Sequence, residues 1–167
     1  MVRIEPLGPE LWPRLATFLQ ERWGFERVAS RGRLHYMADL PAFVALDGDR
    51  IAGAATYHLD GDECEVVTLD AQPEGEGTGA LLLSAVIERA RAAGCRRAWL
   101  ITTNDNMRAQ RFYERAGGRL VAVHWDAVTR ARETLKPEIP LLGVDGVPIR
   151  DEHEYEWVLH PEEQAGR

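Results

Sequence analysis

The stretch that decides the reading is Asp62-Glu63-Cys64-Glu65-Val66-Val67-Thr68-Leu69-Asp70-Ala71-Gln72-Pro73-Glu74-Gly75-Glu76-Gly77-Thr78-Gly79-Ala80. Val66, Val67 and Leu69 supply the β-branched and apolar run of a strand. Gly75, Gly77 and Gly79 then remove side chains at alternate positions, and an apolar stripe at helical spacing begins at Ala80. A strand, a glycine-rich loop and the first turn of a helix therefore follow one another. Such a loop points several backbone N–H groups into one concavity at a helix N-terminus, where phosphate binds well.

Three kinds of phosphate loop compete for this segment. A Walker A loop needs Gly-Lys-Ser/Thr after four intervening residues, and no Lys follows any of these glycines. Gly75-Glu76-Gly77-Thr78-Gly79-Ala80 satisfies a loose G-x-G-x-x-A dinucleotide fingerprint, which belongs in a βαβ unit opening a doubly wound sheet. Here strands and tight turns precede it instead. Asp47-Gly48 and Asp60-Gly61 each separate strand-like runs (42–46, 51–59 and 62–71), the strongest short-range hairpin signal. An antiparallel meander that feeds a glycine loop and a helix is not the opening of a Rossmann domain.

The third kind is carried by a second segment, Asn106-Met107-Arg108-Ala109-Gln110-Arg111-Phe112-Tyr113-Glu114-Arg115-Ala116-Gly117-Gly118, which lies one strand further on. In this order the two segments resemble the GNAT superfamily of acyl-CoA-dependent N-acyltransferases. Residues 74–82 match its Q/R-x-x-G-x-G/A pyrophosphate loop, and residues 106–118 match its N-x-x-A-x-x-Φ-Y-x-x-x-G-F helix. The resemblance covers residues 1–130 in element order. It is closest to uncharacterised bacterial members that carry Ser30-Arg31-Gly32 and Pro148-Ile149-Arg150-Asp151, so it supplies no substrate. It implies an α/β (α+β) fold with a mixed central sheet flanked by helices, as a single domain over residues 1–167.

The chain departs from the pattern at three points. Glu74 stands at the Q/R position, Glu76 adds a second carboxylate beside the expected pyrophosphate, and Gly118 replaces the usual aromatic. Two carboxylates near a diphosphate weaken binding unless they point to solvent. The backbone N–H groups do not depend on those side chains. Arg108, Arg111 and Arg115 either offset the charge or form a solvated helix face.

The resemblance implies acetyl-CoA as cosubstrate. Its pantetheine would be gripped by backbone groups of Leu69, Asp70 and Ala71, on a strand that splays from its neighbour. Its pyrophosphate would be held by Gly75, Glu76, Gly77, Thr78, Gly79 and Ala80. Asn106 has two jobs open to it, capping its helix and hydrogen-bonding the cofactor. Tyr113 lies seven residues further, two turns along the same face, where the family places a hydroxyl beside the thioester sulfur. Its alternative reading is a core aromatic.

Glu65 is the base expected to take the amine proton, with Glu63 and Asp70 as weaker contenders; the alternative reading is a solvated side chain near the hairpin. Period-2 alternation puts Glu65, Val67 and Leu69 on one face and Cys64, Val66 and Thr68 on the other. Phe112 reads as core. Trp23, Phe25, Arg31 and Tyr36 are pocket candidates by resemblance. His124 and Trp125 follow the motif helix on a strand where family members shape the acceptor pocket, and no site role is assigned to His124. The five histidines show no metal-ligand spacing, so no metal is expected.

With 167 residues and 45% hydrophobic content, one domain with a real core is expected. A net charge of −7 and a pI near 5.3 argue against nucleic acid or an anionic membrane as partner and tilt mildly toward a cationic amine. Cys64 and Cys95 read as buried reduced thiols. No leader and no run of 18 apolar residues is evident, so the chain is expected to be soluble and cytoplasmic.

The patterning further predicts a strand at 2–6, helices at 10–23 (stopped by Gly24) and 30–39, and a helix at 80–93 with Leu83, Val86, Ile87 and Ala90 buried. It then gives a strand at 97–102, a helix at 106–116, a strand at 120–124, a helix at 126–135 and a strand at 154–160. The Pro- and Gly-rich segment 136–151 reads as a lid or hairpin insertion around Asp145-Gly146.

These readings converge on an N-acetyltransferase acting by direct attack of a primary amine, small-molecule or peptide, on acetyl-CoA. The alternatives are a non-catalytic acyl-CoA-binding regulatory module on the same fold and a dinucleotide-dependent oxidoreductase. Dimers are common in the family, so a homodimer is an expectation of the resemblance.

Overall fold

The structure, a computed structural model, describes residues 1–23 and 27–160, with only the backbone of residue 23. The expectations placed on Gly24, Phe25 and the Trp23 side chain lie outside the described residues. By its internal contacts the chain divides into two compact units. One comprises Met1–Val28, Tyr36–Ala98 and the stretch from Val158, and the other Ala29–His35 and Trp99–Trp157.

The first unit is built on the meander. After β1 (Arg3–Pro6) and α1 (Trp12–Trp23) come β4 (Ala42–Asp47), β5 (Arg50–Asp60) and β6 (Glu63–Ala71), joined by two-residue turns. All three contacts, β1–β4, β4–β5 and β5–β6, are antiparallel. Helix α2 (Thr78–Ala92) leaves the glycine loop and packs across β4, β5 and β6 through Leu82, Leu83, Val86 and Ala90. Leu82 takes the buried place expected of Ile87, which is half-buried. The opposite side of the meander packs Val44, Leu46 and Ala54 against Leu11, Leu15 and Leu19 of α1.

The span 30–39 is not a helix. β2 (Arg27–Ser30) and β3 (Arg33–Tyr36) form a two-stranded sheet closed by Arg31 and Gly32, with φ of 48° and 76°. Two successive left-handed residues in a two-residue loop are the signature of a type I′ hairpin turn, and no helix passes through them. Only Met37–Asp39 winds helically, as one 3-10 turn.

The second unit contains most of β7 (Arg97–Thr103), then α3 (Met107–Arg115), β8 (Arg119–His124), α4 (Ala127–Thr134) and β9 (Glu152–Val158), with β8 and β9 antiparallel. Between α4 and β9 the chain makes a small hairpin, with Leu142 bridged to Pro148 and Ile149 N–H donating to Leu141 O at 3.0 Å. Asn104 fixes this hairpin by accepting from the Arg150 and Asp151 amides and donating to Pro148 O. Asp105 accepts from the Val144 amide at 3.0 Å, and Arg132 donates to the carbonyls of Ile139, Pro140 and Ile149.

Seven of the strands form a mixed sheet in the order β1-β4-β5-β6-β7-β9-β8, flanked by four helices, as the sequence reading expects.

Candidate functional site

The glycine loop leaves β6 and enters α2 without a side-chain cap. Gly77 is the cap residue, with φ of 84°, a conformation open to glycine at no steric cost. A Cβ built on Gly77 would meet no atom within 4 Å, so the loop is open on that side. The first amide spent inside the helix is that of Leu81, which donates to Gly77 O at 3.1 Å. The amides of Thr78, Gly79 and Ala80 precede it and are left over by helix geometry. Residues 75–77 before them are exposed and no side chain caps the helix, so these amides and the helix dipole suit a phosphate. Glu74 and Glu76 are both exposed, and Glu74 lies 4.0 Å from the Arg22 guanidinium, so its charge is partly countered.

Arg22, in the last turn of α1, grips Asp70 with two bonds, Nε to Oδ2 at 2.8 Å and Nη2 to Oδ1 at 2.6 Å. The Asp70 hydrogen bond holds the guanidinium above its ordinary pKa, against the opposing effect of burial. This pair takes the Asp70 carboxylate out of contention as a base. Only the backbone of Asp70 is open to the cofactor role. Glu63 is likewise spent, on Arg97 Nε at 2.9 Å and on Arg96. The sequence reading missed the Arg22–Asp70 pair, because 48 positions separate the partners and no local pattern links them.

The register of β6 corrects the face assigned to Glu65. Thr56 pairs with Thr68 and Tyr57 with Val66, so Val67 bulges out unpaired. Ala54, Thr56 and His58 alternate along one face of β5, and their partners Asp70, Thr68 and Glu65 share it. The 2.6 Å bond between the Thr56 and Thr68 hydroxyls and the Arg22–Asp70 pair confirm the alignment. Glu65 therefore lies in a polar row on the α1 side, not with Val67 and Leu69. It is only 5% exposed. Leu69 and Ala71 fall on the α2 side, partly open.

In the second unit, Asn106 caps α3, its Oδ1 accepting from the Ala109 amide at 3.1 Å. Its Nδ2 makes no hydrogen bond among the described residues, so capping leaves a donor over. Tyr113 is half-buried, with its ring centroid 5.4 Å from Phe112, 5.9 Å from Tyr155 and 6.2 Å from Trp157. These contacts fix the ring without enclosing it. Phe112, expected in the core, is half-buried too, and no residue of α3 is fully buried. Arg108, Arg111 and Arg115 are exposed, a solvated face.

Gly118 has a physical reason. A Cβ there would lie 2.7 Å from Trp157 Cζ2, so the indole of β9 occupies the space a side chain would fill. Trp157 is fixed in that place by donating Nε1–H to Ala116 O at 3.0 Å.

The other side of β8 and β9 carries a charged cluster. His124 Nε2 lies 3.0 Å from Glu154 Oε1, and Arg31 Nε lies 3.4 Å from the same oxygen. The Arg31 amide donates to the Glu152 carboxylate at 3.1 Å, and its guanidinium stacks 5.0 Å above the Trp99 ring. Of the other pocket candidates, Tyr36 is exposed, as is Trp125. Among the described residues no group of side chains is arranged to hold a metal, and no helix is long and apolar enough to cross a membrane.

Residues 6–118 match the model of the acetyltransferase (GNAT) family. The chain belongs to that family. Its relatives include the uncharacterised protein YdhI of Bacillus subtilis, 41% identical over 139 residues, which are 83% of this chain and 86% of that protein. Among solved structures the fold is similar to an IAA acetyltransferase from Bacillus cereus, with a TM-score of 0.73 and 19% identity over 95% of this chain and all of that one. It is also similar to a GNAT family acetyltransferase from Elizabethkingia anophelis with acetyl-CoA bound, with a TM-score of 0.69 and 15% identity over 95% and 98% of the two chains. At these identities the structural likeness speaks for the fold alone.

Proposed function

We propose that this GNAT member transfers an acetyl group from acetyl-CoA to a primary amine by direct attack. The observation that carries the reading is the uncapped start of α2 behind the exposed glycine loop, which leaves the amides of Thr78, Gly79 and Ala80 for an anion. Acetyl-CoA supplies an activated acyl carbon and a thiolate leaving group. The chain's backbone at 75–80 holds the pyrophosphate, the backbone of Leu69, Asp70 and Ala71 takes the pantetheine, and Asn106 adds its Nδ2–H donors.

The chemistry then needs an amine stripped of its extra proton and a donor for the departing sulfur. Glu65 takes the proton that the attacking amine gives up as the C–N bond forms, from a row of β6 and β5 side chains shared with His58, Thr56 and Thr68. Tyr113 donates to the thiolate. A phenol, with an ordinary pKa of about 10 against about 8.5 for a thiol, is still protonated at neutral pH. No side-chain nucleophile is required. The second reading, a binding module without turnover, rests on Glu74 and Glu76 beside the phosphate position.

The experiment is a thermal shift with CoA and with NAD, followed by acetyl transfer to a panel of primary amines. At a CoA concentration about 100 times its Kd, binding adds about 2.7 kcal/mol. A domain of this size then melts roughly 5–10 °C higher. A shift with NAD and none with CoA would refute the reading, and a CoA shift with no transfer to any amine would favour the module.

A further inference from the structure

The proton balance of the proposed reaction leaves one proton without an exit. An acceptor amine arrives in neutral water as an ammonium with three N–H bonds, and the amide product keeps one. Of the two protons lost, one replaces the proton that Tyr113 gives to the thiolate, and the other leaves for solvent. Glu65, 5% exposed, is enclosed and suits the proton released once the C–N bond has formed. A group that takes the first proton has to meet both ligand and water.

We propose that His124, held by Glu154, takes the first proton from the acceptor ammonium and releases it to water. The inference rests on the acetyl-transfer reading above. Glu154 shows only 6% of its side chain to solvent and accepts the Nε2–H of His124 at 3.0 Å. That bond selects the tautomer with an unprotonated Nδ1. Nδ1 has no protein partner among the described residues and belongs to a ring 30% exposed. A buried carboxylate on one nitrogen and an open lone pair on the other is the arrangement of a general base with its orienting group.

The groups that face the imidazole are Glu152 and Glu154 of β9 and Arg31 of the β2–β3 turn. At the strand's end, Asp151 is engaged with the Asp126 amide at 2.7 Å. The two carboxylates draw an ammonium toward His124, and Glu154 fixes the ring through Nε2. Arg31 holds Glu154 in place and limits the excess of negative charge. In the step itself an ammonium N–H bond breaks and its electron pair stays on nitrogen. The proton bonds to Nδ1 and then passes to water, and the neutral amine is free to attack the acyl carbon. Glu154 acts through His124 and is a positioning residue. The sequence held only a lone histidine here, since its partner lies 30 positions away.

The test uses the full chain with acetyl-CoA and the amine panel, following thiol release from pH 6 to pH 10, with His124→Gln and Glu154→Gln. The first substitution keeps a polar side chain in place but removes the group that accepts the proton. His124→Gln is expected to lower kcat/KM for the amine about 10²-fold at neutral pH, with the deficit closing as the pH itself deprotonates the amine, and with an unchanged KM for acetyl-CoA. Glu154→Gln is expected to lower kcat/KM for the amine with an unchanged KM for acetyl-CoA and to weaken the Nε2–H preference of the imidazole, a spectroscopic change that a merely structural role would not give.

Nitrogen-15 NMR of the imidazole in the wild type is expected to show protonation on Nε2, whatever the acceptor. A His124→Gln profile that superimposes on wild type, or an Nδ1–H tautomer, overturns the proposal and leaves the acetyl-transfer reading standing. Acetyl-CoA binding with no transfer to any amine by the wild type overturns both.

Discussion

Tyr113 is held by three aromatic neighbours at 5.4–6.2 Å, ring contacts that a phenylalanine would keep, so loss of the hydroxyl tests the proposed acid. Tyr113→Phe is expected to lower kcat about 10²-fold, the lower part of the range for loss of a general acid, because a thiolate already leaves fairly well. The fold and the CoA affinity should survive; turnover within about twofold of wild type would remove the assignment. Glu65→Gln is expected to reduce the rate at neutral pH with little change in acetyl-CoA affinity, and an unaltered pH–rate profile would take Glu65 out of the mechanism. Cys64 gives a different kind of prediction. Burial, then Cys95, pushes its thiol up to about 12 from an ordinary 9.0. The unfolded chain loses that proton first as pH rises, so the stabilisation is complete below about pH 9 and is lost toward pH 12. Melting temperatures from pH 8 to 11 should therefore fall more steeply in wild type than in Cys64→Ala, and parallel curves would contradict this. The strand carrying Cys64 and Glu65 was legible from its residues, but its faces were not. A bulge at Val67 depends on the partner strand, and one inserted residue swaps every side chain beyond it.

At the scale of elements, the loop between β6 and α2 concentrates the cofactor argument. Gly77→Val places a branched side chain at φ of 84° in an exposed loop. The strain is about 1–2 kcal/mol, which a folded domain tolerates, whereas the backbone would no longer approach a phosphate closely. CoA affinity should fall more than tenfold by calorimetry with far-ultraviolet dichroism unchanged; retained affinity would dissociate the loop from binding. Helix α2 and the meander were readable because glycines, alternation and helical spacing are local signals. The β2–β3 hairpin reads as a helix from its flanking propensities, although Arg31-Gly32 between two short alternating runs is a hairpin signal when the turn is weighed above them. The Gly118 departure became intelligible only with Trp157 beside it, since a close approach between residues 39 positions apart leaves no trace in either local pattern. Gly118→Ala should destabilise by about 1–3 kcal/mol through overpacking against that indole, seen as a lower denaturation midpoint.

For the whole molecule, family membership and a mixed sheet flanked by helices agree with what two short motifs implied, while the acceptor was never written in them. The residues proposed to meet the acceptor come from separate elements. Arg31 sits in a hairpin turn, His124 on β8 and Glu152 and Glu154 on β9, and only folding collects them. The net charge of −7 adds a field that favours cationic acceptors and is screened by salt, so KM for an amine should rise with ionic strength. The most direct measurement is a stoichiometry. The protein is incubated with acetyl-CoA and the amine panel, the acetylated amine is counted by mass spectrometry, and the free thiol is counted in the same sample. Acetyl transfer by direct attack predicts one acetylated amine for each CoA released, from at least one amine and above the uncatalysed rate. Thiol released without any acetylated amine, or CoA bound without thiol release, would contradict it.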